Sequence, residues 1–308
     1  HLSELLPAYL YACQRKYMCG VSDTRVISGK TLRKREPHLN PDMKFAIYNN
    51  MAGSVCPYGL TIAYAENAVQ NGAEVALNTA VLSMDVKGGK IRSVLTNRGR
   101  IYPEIVINAA GVFAEDVAEM AGDRFYSIHP RRGTNAILDK KAGKLMGGIA
   151  SWKTLKKTSG HTKGGGIVHT AHDNLLVGPD AVETYEKENF ATQASSIENN
   201  FKKQQGTVKE LSQRDIITYF TGVRAPTFEE DFVIERGRKT NNLIHCAGIQ
   251  SPGLTTAPAV AKDVAKMAAK MVSVSHPVKK NESYNPYRKG VPRLREMSPE
   301  QRNKLIQK

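Results

Sequence analysis

Paired cysteine spacing is missing from this 308-residue sequence: Cys13, Cys19, Cys56 and Cys246 form no CxxC pair and fall in different kinds of segment. Neither a disulfide framework nor a metal site is suggested, and reduced thiols are expected. No apolar run approaches the roughly 20 residues a membrane-spanning helix needs. The opening His1-Leu2-Ser3-Glu4 lacks the basic-then-apolar order of an export signal, so a cytoplasmic location is expected. Acidic residues are also short, 29 Asp and Glu against 44 Lys and Arg, which leaves a formal net charge of +15. Such an excess raises nucleic-acid binding as a reading. The cations are scattered, however, with small groups at Arg33 to Arg35, Lys156-Lys157 and Lys202-Lys203 and no interleaved aromatics. An anion-attracting surface is expected in place of a specific nucleic-acid site.

What is present is the composition of a globular protein, 41% hydrophobic and 24% charged, long enough for one large domain or two ordinary ones. Helical spacing of Leu2, Leu5, Leu6, Tyr9 and Leu10 predicts a helix over residues 1 to 19, and Pro57 opens a second, from Tyr58 to Asn71, stopped by Gly72. Residues 31 to 37 lead into a turn-rich stretch, and 45 to 48 predict a strand. Short runs at 74–77, 81–86, 91–96 and 99–102, separated by Gly88-Gly89 and Asn97-Arg98-Gly99, predict a hairpin meander. From 128 to 234 the pattern is mainly of strands and glycine-rich loops, interrupted by a helix within 191–209. Beyond His276 the chain is basic and proline-bearing and predicts an extended strap.

Two segments repeat one form. A buried strand at 104–108 enters Ala109-Ala110-Gly111 and then a helix, and a buried strand at 243–247 enters Gly248 to Leu254 and then the helix 257–271. Each turn places unpaired backbone amides where a ligand can accept hydrogen bonds from them.

The strings in these turns, Asn108-Ala109-Ala110-Gly111-Val112-Phe113-Ala114 and Ala247-Gly248-Ile249-Gln250-Ser251-Pro252-Gly253-Leu254-Thr255-Thr256-Ala257, resemble the paired signatures of the D-amino-acid-oxidase superfamily of FAD enzymes. Within it the likeness is to the FAD-dependent glycerol-3-phosphate dehydrogenases of the anaerobic type. Supporting strings run in family order: Cys56-Pro57-Tyr58-Gly59-Leu60, His129-Pro130-Arg131-Arg132-Gly133, Asn174-Leu175-Leu176-Val177-Gly178-Pro179, Thr221-Gly222-Val223-Arg224-Ala225 and Asn285-Pro286-Tyr287-Arg288.

The resemblance implies an α/β (α+β) fold. Its FAD-binding domain would be three-layered, incomplete and discontinuous in sequence, and its substrate domain would be built on a mixed or antiparallel sheet. Residues 53–123 and 236–275 would belong to the FAD domain, 124–235 to the substrate domain, 1–52 to a connecting segment, and 276–308 to the strap. It implies oxidation of a secondary alcohol by hydride transfer to flavin N5, with sn-glycerol 3-phosphate as the small anionic substrate. Electrons would then pass to a partner protein or a quinone.

For the cofactor it implies Val81 beside the adenine and Ala110 and Gly111 beneath the dinucleotide, with Gly248, Ser251, Gly253, Leu254 and Thr255 around the flavin ring. For the substrate it implies Arg224 as the anion clamp, Arg132 and Lys163 as further anion contacts, and His172 as the group that helps remove the hydroxyl proton. A guanidinium fork suits the clamp because it holds phosphate or carboxylate bidentately.

A 2-hydroxyglutarate-type oxidase using the same arginine, and a non-catalytic fragment holding no flavin, stay open as alternatives. The family's GxGxxG fingerprint is not in the sequence and is expected upstream of His1, so tight FAD binding and activity are not expected of this chain by itself. An iron–sulfur module would follow downstream, and peripheral association with a membrane is the other placement implied.

Overall fold

The computed structural model describes residues 2–151, 165–288 and 294–307. Helix α1 (Leu5–Tyr17) is followed by strands β1 (Arg25–Ser28) and β2 (Phe45–Tyr48), an antiparallel pair, with helix α2 (Gly29–Arg35) between them. Residues 29 to 35, where no helix was expected, are helical because Ser28 caps them, its hydroxyl accepting from the Thr31 amide, while Leu32 packs into the core. Helix α3 (Pro57–Gln70) precedes the meander of β3 (Val81–Lys87), β4 (Lys90–Thr96) and β5 (Gly99–Ile101). The expected strand at 74–77 is not formed: those residues are exposed and lie in turns and irregular chain.

Strand β6 (Val106–Asn108) and helix α4 (Ala114–Met120) come next. The large antiparallel sheet then takes β7 (Arg131–Leu138), β8 (Ile149–Ala150), β9 (Gly166–His169), β10 (Leu175–Gly178), β11 (Val182–Glu183) and, after helix α5 (Ala194–Gln204), β12 (Ile216–Arg224). Strands β13 (Val233–Arg236) and β14 (Leu243–Ala247) follow, then helices α6 (Gly253–Val272) and α7 (Pro299–Ile306).

Two compact units result, His1–Cys56 with Ala80–Pro277 and Pro57–Thr79 with Val278–Lys308. In the first, side chains alternate across the large sheet. Thr134, Ala136 and Leu138 of β7 point to the face covered by α5, where Ile197 and Phe201 meet Leu175 and Val177. Phe201 is 1% exposed, and truncation to alanine there costs about 3–5 kcal/mol. The opposite face stays open enough to line a cavity. A second sheet has the order β13-β14-β6, with β14 and β6 parallel, and the buried Asn242 side chain ties it to the meander by accepting from the Ile91 amide (2.8 Å) and donating to its carbonyl (3.0 Å).

In the second unit the expected strap lies along α3 at residues 285–287. The Asn67 and Asn71 side chains donate to the Asn285 carbonyl, and Gln70 donates to that of Tyr287. Residues 299–306 are helical, because Ser298 and Gln301 form a reciprocal capping box and Pro299 occupies the first turn.

Candidate functional site

The parallel register Leu243↔Val106, Ile244↔Ile107, His245↔Asn108 brings the carboxyl ends of β14 and β6 side by side, so their glycine turns open along one edge. In an α/β sheet that edge is where ligands bind. Beneath it lies a buried polar floor. Asn108 donates to the Ala114 carbonyl (2.7 Å) and accepts from the Ala110 amide (3.3 Å), which fixes the first turn from inside. The Tyr126 hydroxyl donates to the same carbonyl (3.0 Å), leaving its oxygen to accept from His245 Nδ1 (3.0 Å). Burial lowers the His245 pKa and raises that of Tyr126, so both groups are neutral.

Above the floor, Ala110 and Gly111 are exposed. Gly111 has φ +58 and open space where a Cβ would stand, so the backbone is both strained for other residues and approachable. Gly248, with φ +68, is instead pressed against the Asp231 carbonyl. Helix α6 begins without a side-chain cap, and the amides of Leu254 and Thr255, both exposed, have no acceptor within the helix. Ser251 is exposed beside them and Gly253 opens the helix. Val81 stands apart, exposed at the start of β3.

On the open face of the large sheet, a cavity of about 330 Å³ is lined by Arg131, Val168, Asp180, Arg224, Gln250 and Ser251 among others. It therefore joins the sheet to the loop that follows β14. Arg224 and Arg131 are register partners and share this face. Their charges are handled differently. Arg131, 1% exposed, donates from Nε to Glu183 (2.8 Å) and from Nη1 to Glu230 (3.2 Å), and those bonds, Glu230 first, raise its pKa. Glu230 also accepts from the Gln250 side chain (2.6 Å), which pins the loop. Arg224 donates to two neutral carbonyls, those of Asp180 (2.9 Å) and Arg132 (3.4 Å), and has no carboxylate partner among the described residues. Burial lowers its pKa. The guanidinium stays charged, and the Asp180 carboxylate attracts it without forming an ion pair.

Arg132 does not line this cavity, because one step along β7 turns it to the other face, where it donates to Asn189 (3.2 Å) and to the Ala191 carbonyl and its buried Nε has no partner. His172 is not brought to Arg224 either. It is exposed in the turn between β9 and β10, beside Thr170, at the opposite end of β10 from Gly178 and Asp180. The strand between them is roughly 10 Å long. Lys163 lies outside the described residues. Sequence reasoning overlooked Arg131, Glu230 and Gln250; the signal available was the Arg131-Arg132-Gly133 string, whose parity only the pairing with β12 resolves.

The family model for FAD dependent oxidoreductases matches residues 4–267. The chain belongs to this FAD-dependent oxidoreductase family. It is 32% identical, over 94% of its length, to a glycerol 3-phosphate dehydrogenase of Caloramator mitchellensis, and 27% identical, over 79% of its length, to a glycerol 3-phosphate oxidase of Mycoplasma genitalium. It spans 58% and 63% of those relatives. Its fold matches the FAD-bound, dithionite-reduced L-α-glycerophosphate oxidase of Mycoplasma pneumoniae with a TM-score of 0.73 at 21% identity, covering 92% of this chain and 73% of that one. For an FAD-dependent oxidoreductase the turns fit the cofactor: Gly111 leaves room for it, and the free amides of α6 suit a group that becomes negatively charged on reduction. Among the described residues, no helix is long and apolar enough to cross a membrane and no His, Cys, Asp and Glu cluster could hold a metal ion.

Proposed function

We propose that this chain is part of an enzyme that oxidises the secondary alcohol of a small anionic molecule, sn-glycerol 3-phosphate, to the ketone, dihydroxyacetone phosphate. One observation carries the reading: a half-buried arginine that no carboxylate contacts among the described residues faces a cavity whose wall continues into the β14 to α6 loop. A phosphate or carboxylate supplies the missing charge and accepts the two-pronged donation of a guanidinium. Phosphate is favoured by the two relatives, a glycerol 3-phosphate dehydrogenase and a glycerol 3-phosphate oxidase.

In this reading Ala110 and Gly111 pass beneath the dinucleotide, and Gly248, Ser251, Gly253, Leu254 and Thr255 form the loop at the flavin ring. Val81 is assigned to the adenine end. FAD, when bound, supplies the hydride acceptor. Arg224 holds the anionic group and so orients the alcohol carbon, which is worth most when the geometry is fixed before reaction. Arg131 stiffens that wall through Glu230 and Gln250 without itself binding the anion. Electrons then leave to a partner protein or a quinone.

The test is to titrate FAD into a version of the protein extended upstream through the expected GxGxxG fingerprint and add glycerol 3-phosphate without oxygen. Bleaching of the visible flavin band is expected. A band that persists with glycerol 3-phosphate and bleaches with 2-hydroxyglutarate would move the substrate to the hydroxy acids, and a chain that takes up no FAD would favour the non-catalytic reading.

A further inference from the structure

We propose that Gly133 is the positioning residue of the anion clamp: the space left by its missing side chain seats the Arg224 guanidinium, and any side chain at 133 displaces the charge from the cavity. This rests on the reading of Arg224 as the anion receptor.

The pairing of β7 and β12 sets Gly133 opposite Gly222, two residues from the Arg131↔Arg224 pair, so neither strand carries a Cβ at that level. The two glycines are not equivalent. A Cβ built on Gly133 would stand 1.9 Å from Arg224 Nη2, 2.5 Å from Cζ and 3.1 Å from Nη1, whereas one built on Gly222 meets nothing within 4 Å. The guanidinium therefore lies against the bare backbone of β7. Its Nη1 donates to the carbonyl of Arg132, the residue immediately before the glycine, and its Nη2 to that of Asp180. Backbone thus fixes the plane of the fork without an ion pair.

The atoms that a Cβ would meet belong to the far end of a flexible side chain. An alanine at 133 is accommodated by swinging Arg224 aside, so the fold survives and the clamp does not. This separates positioning from packing, which a substitution against rigid backbone could not do.

Inorganic phosphate, titrated calorimetrically into the 308-residue chain at fixed salt, is the probe. Gly133→Ala is expected to weaken phosphate binding at least about tenfold while moving Tm by no more than about 4 °C. Gly222→Ala should stay within about twofold of the unmodified chain, since nothing there is displaced. In an Arg224→Lys background, where the clashing fork is gone, Gly133→Ala should change affinity by less than about twofold, a double-mutant signature that general loosening of the sheet would not produce. Gly133→Ala binding as tightly as the unmodified chain overturns the proposal, and so does its failure to fold. If Arg224→Gln binds phosphate undiminished, the clamp itself is wrong and the function reading falls first; if Arg224→Gln loses binding and Gly133→Ala keeps it, only the seat is wrong.

Discussion

The cavity face around Arg224 and the floor beneath the glycine turns both bury polar groups, and they do so by opposite means. On the floor, Asn108, Tyr126 and His245 are neutral and bond to one another or to the Ala114 carbonyl, and only His245 Nε2 is left without a partner. On the cavity face, charge is kept. Two carboxylates answer Arg131 and none answers Arg224 among the described residues. The floor holds backbone in place, whereas on the proposed reading the cavity face offers one charge to an arriving anion. Desolvating a charge that no carboxylate contacts is costly, and that cost at the half-buried Arg224 is the reason for proposing it as functional and Arg131 as its support.

The largest effect that could break this comparison is expected at Arg131. Arg131→Met removes the guanidinium from Glu230 and Glu183, leaving Glu230 with Gln250 and Glu183 with His129. Removing one partner of a buried pair costs about 3–5 kcal/mol, readable by urea unfolding. A loss below about 1 kcal/mol, the level of a surface ion pair, would mean that Arg131 is no more structural than Arg224.

On the floor, the loss should be smaller. Tyr126→Phe removes the acceptor of His245 Nδ1 and one donor to Ala114, at about 1–3 kcal/mol for a buried group left unsatisfied. The floor should also show in the pH dependence. His245 has a folded pKa below the unfolded value of about 6.5, so its contribution is present above that pH and is lost as the pH falls through the window below it, with a slope of at most about 1.4 kcal/mol per pH unit. His245→Gln should flatten that part of the stability profile. An unchanged profile in the variant would show that the imidazole is not held neutral.

The two regions also differ in how far they could be read from the sequence. The floor's strands carry local signals, apolar runs closed by small-residue turns, and residues 243–247 were legible to the residue. The position of β2, at 45–48, was legible on similar grounds. Helix α2 was not, since Leu32 is its one large buried side chain among basic neighbours and its start depends on a single Ser28 cap. On the cavity face the decisive facts are non-local. Whether Arg131 or Arg132 meets Arg224 depends on a register set some 90 residues away along the chain, and a one-residue shift exchanges the faces. His172 looked chemical in isolation, but it belongs to the turn of a short hairpin that carries it away from the arginines.

The smallest expected stability effect is also the one that sharpens the comparison most. Arg224→Gln removes no ion pair and relieves the desolvation of a half-buried charge, so stability should stay within about 0.5–1 kcal/mol of the unmodified chain or rise. Phosphate affinity should fall by at least about tenfold, because the guanidinium supplies both the charge and the fork. Arg132→Gln should do the reverse. Its side chain fills the α5-covered face against Asn189, so thermal stability drops while phosphate binding is kept. The pair of variants turns a question about two adjacent or facing arginines into one about parity: if Arg132→Gln lost phosphate and Arg224→Gln kept it, the face of the sheet that meets the anion would be the other one.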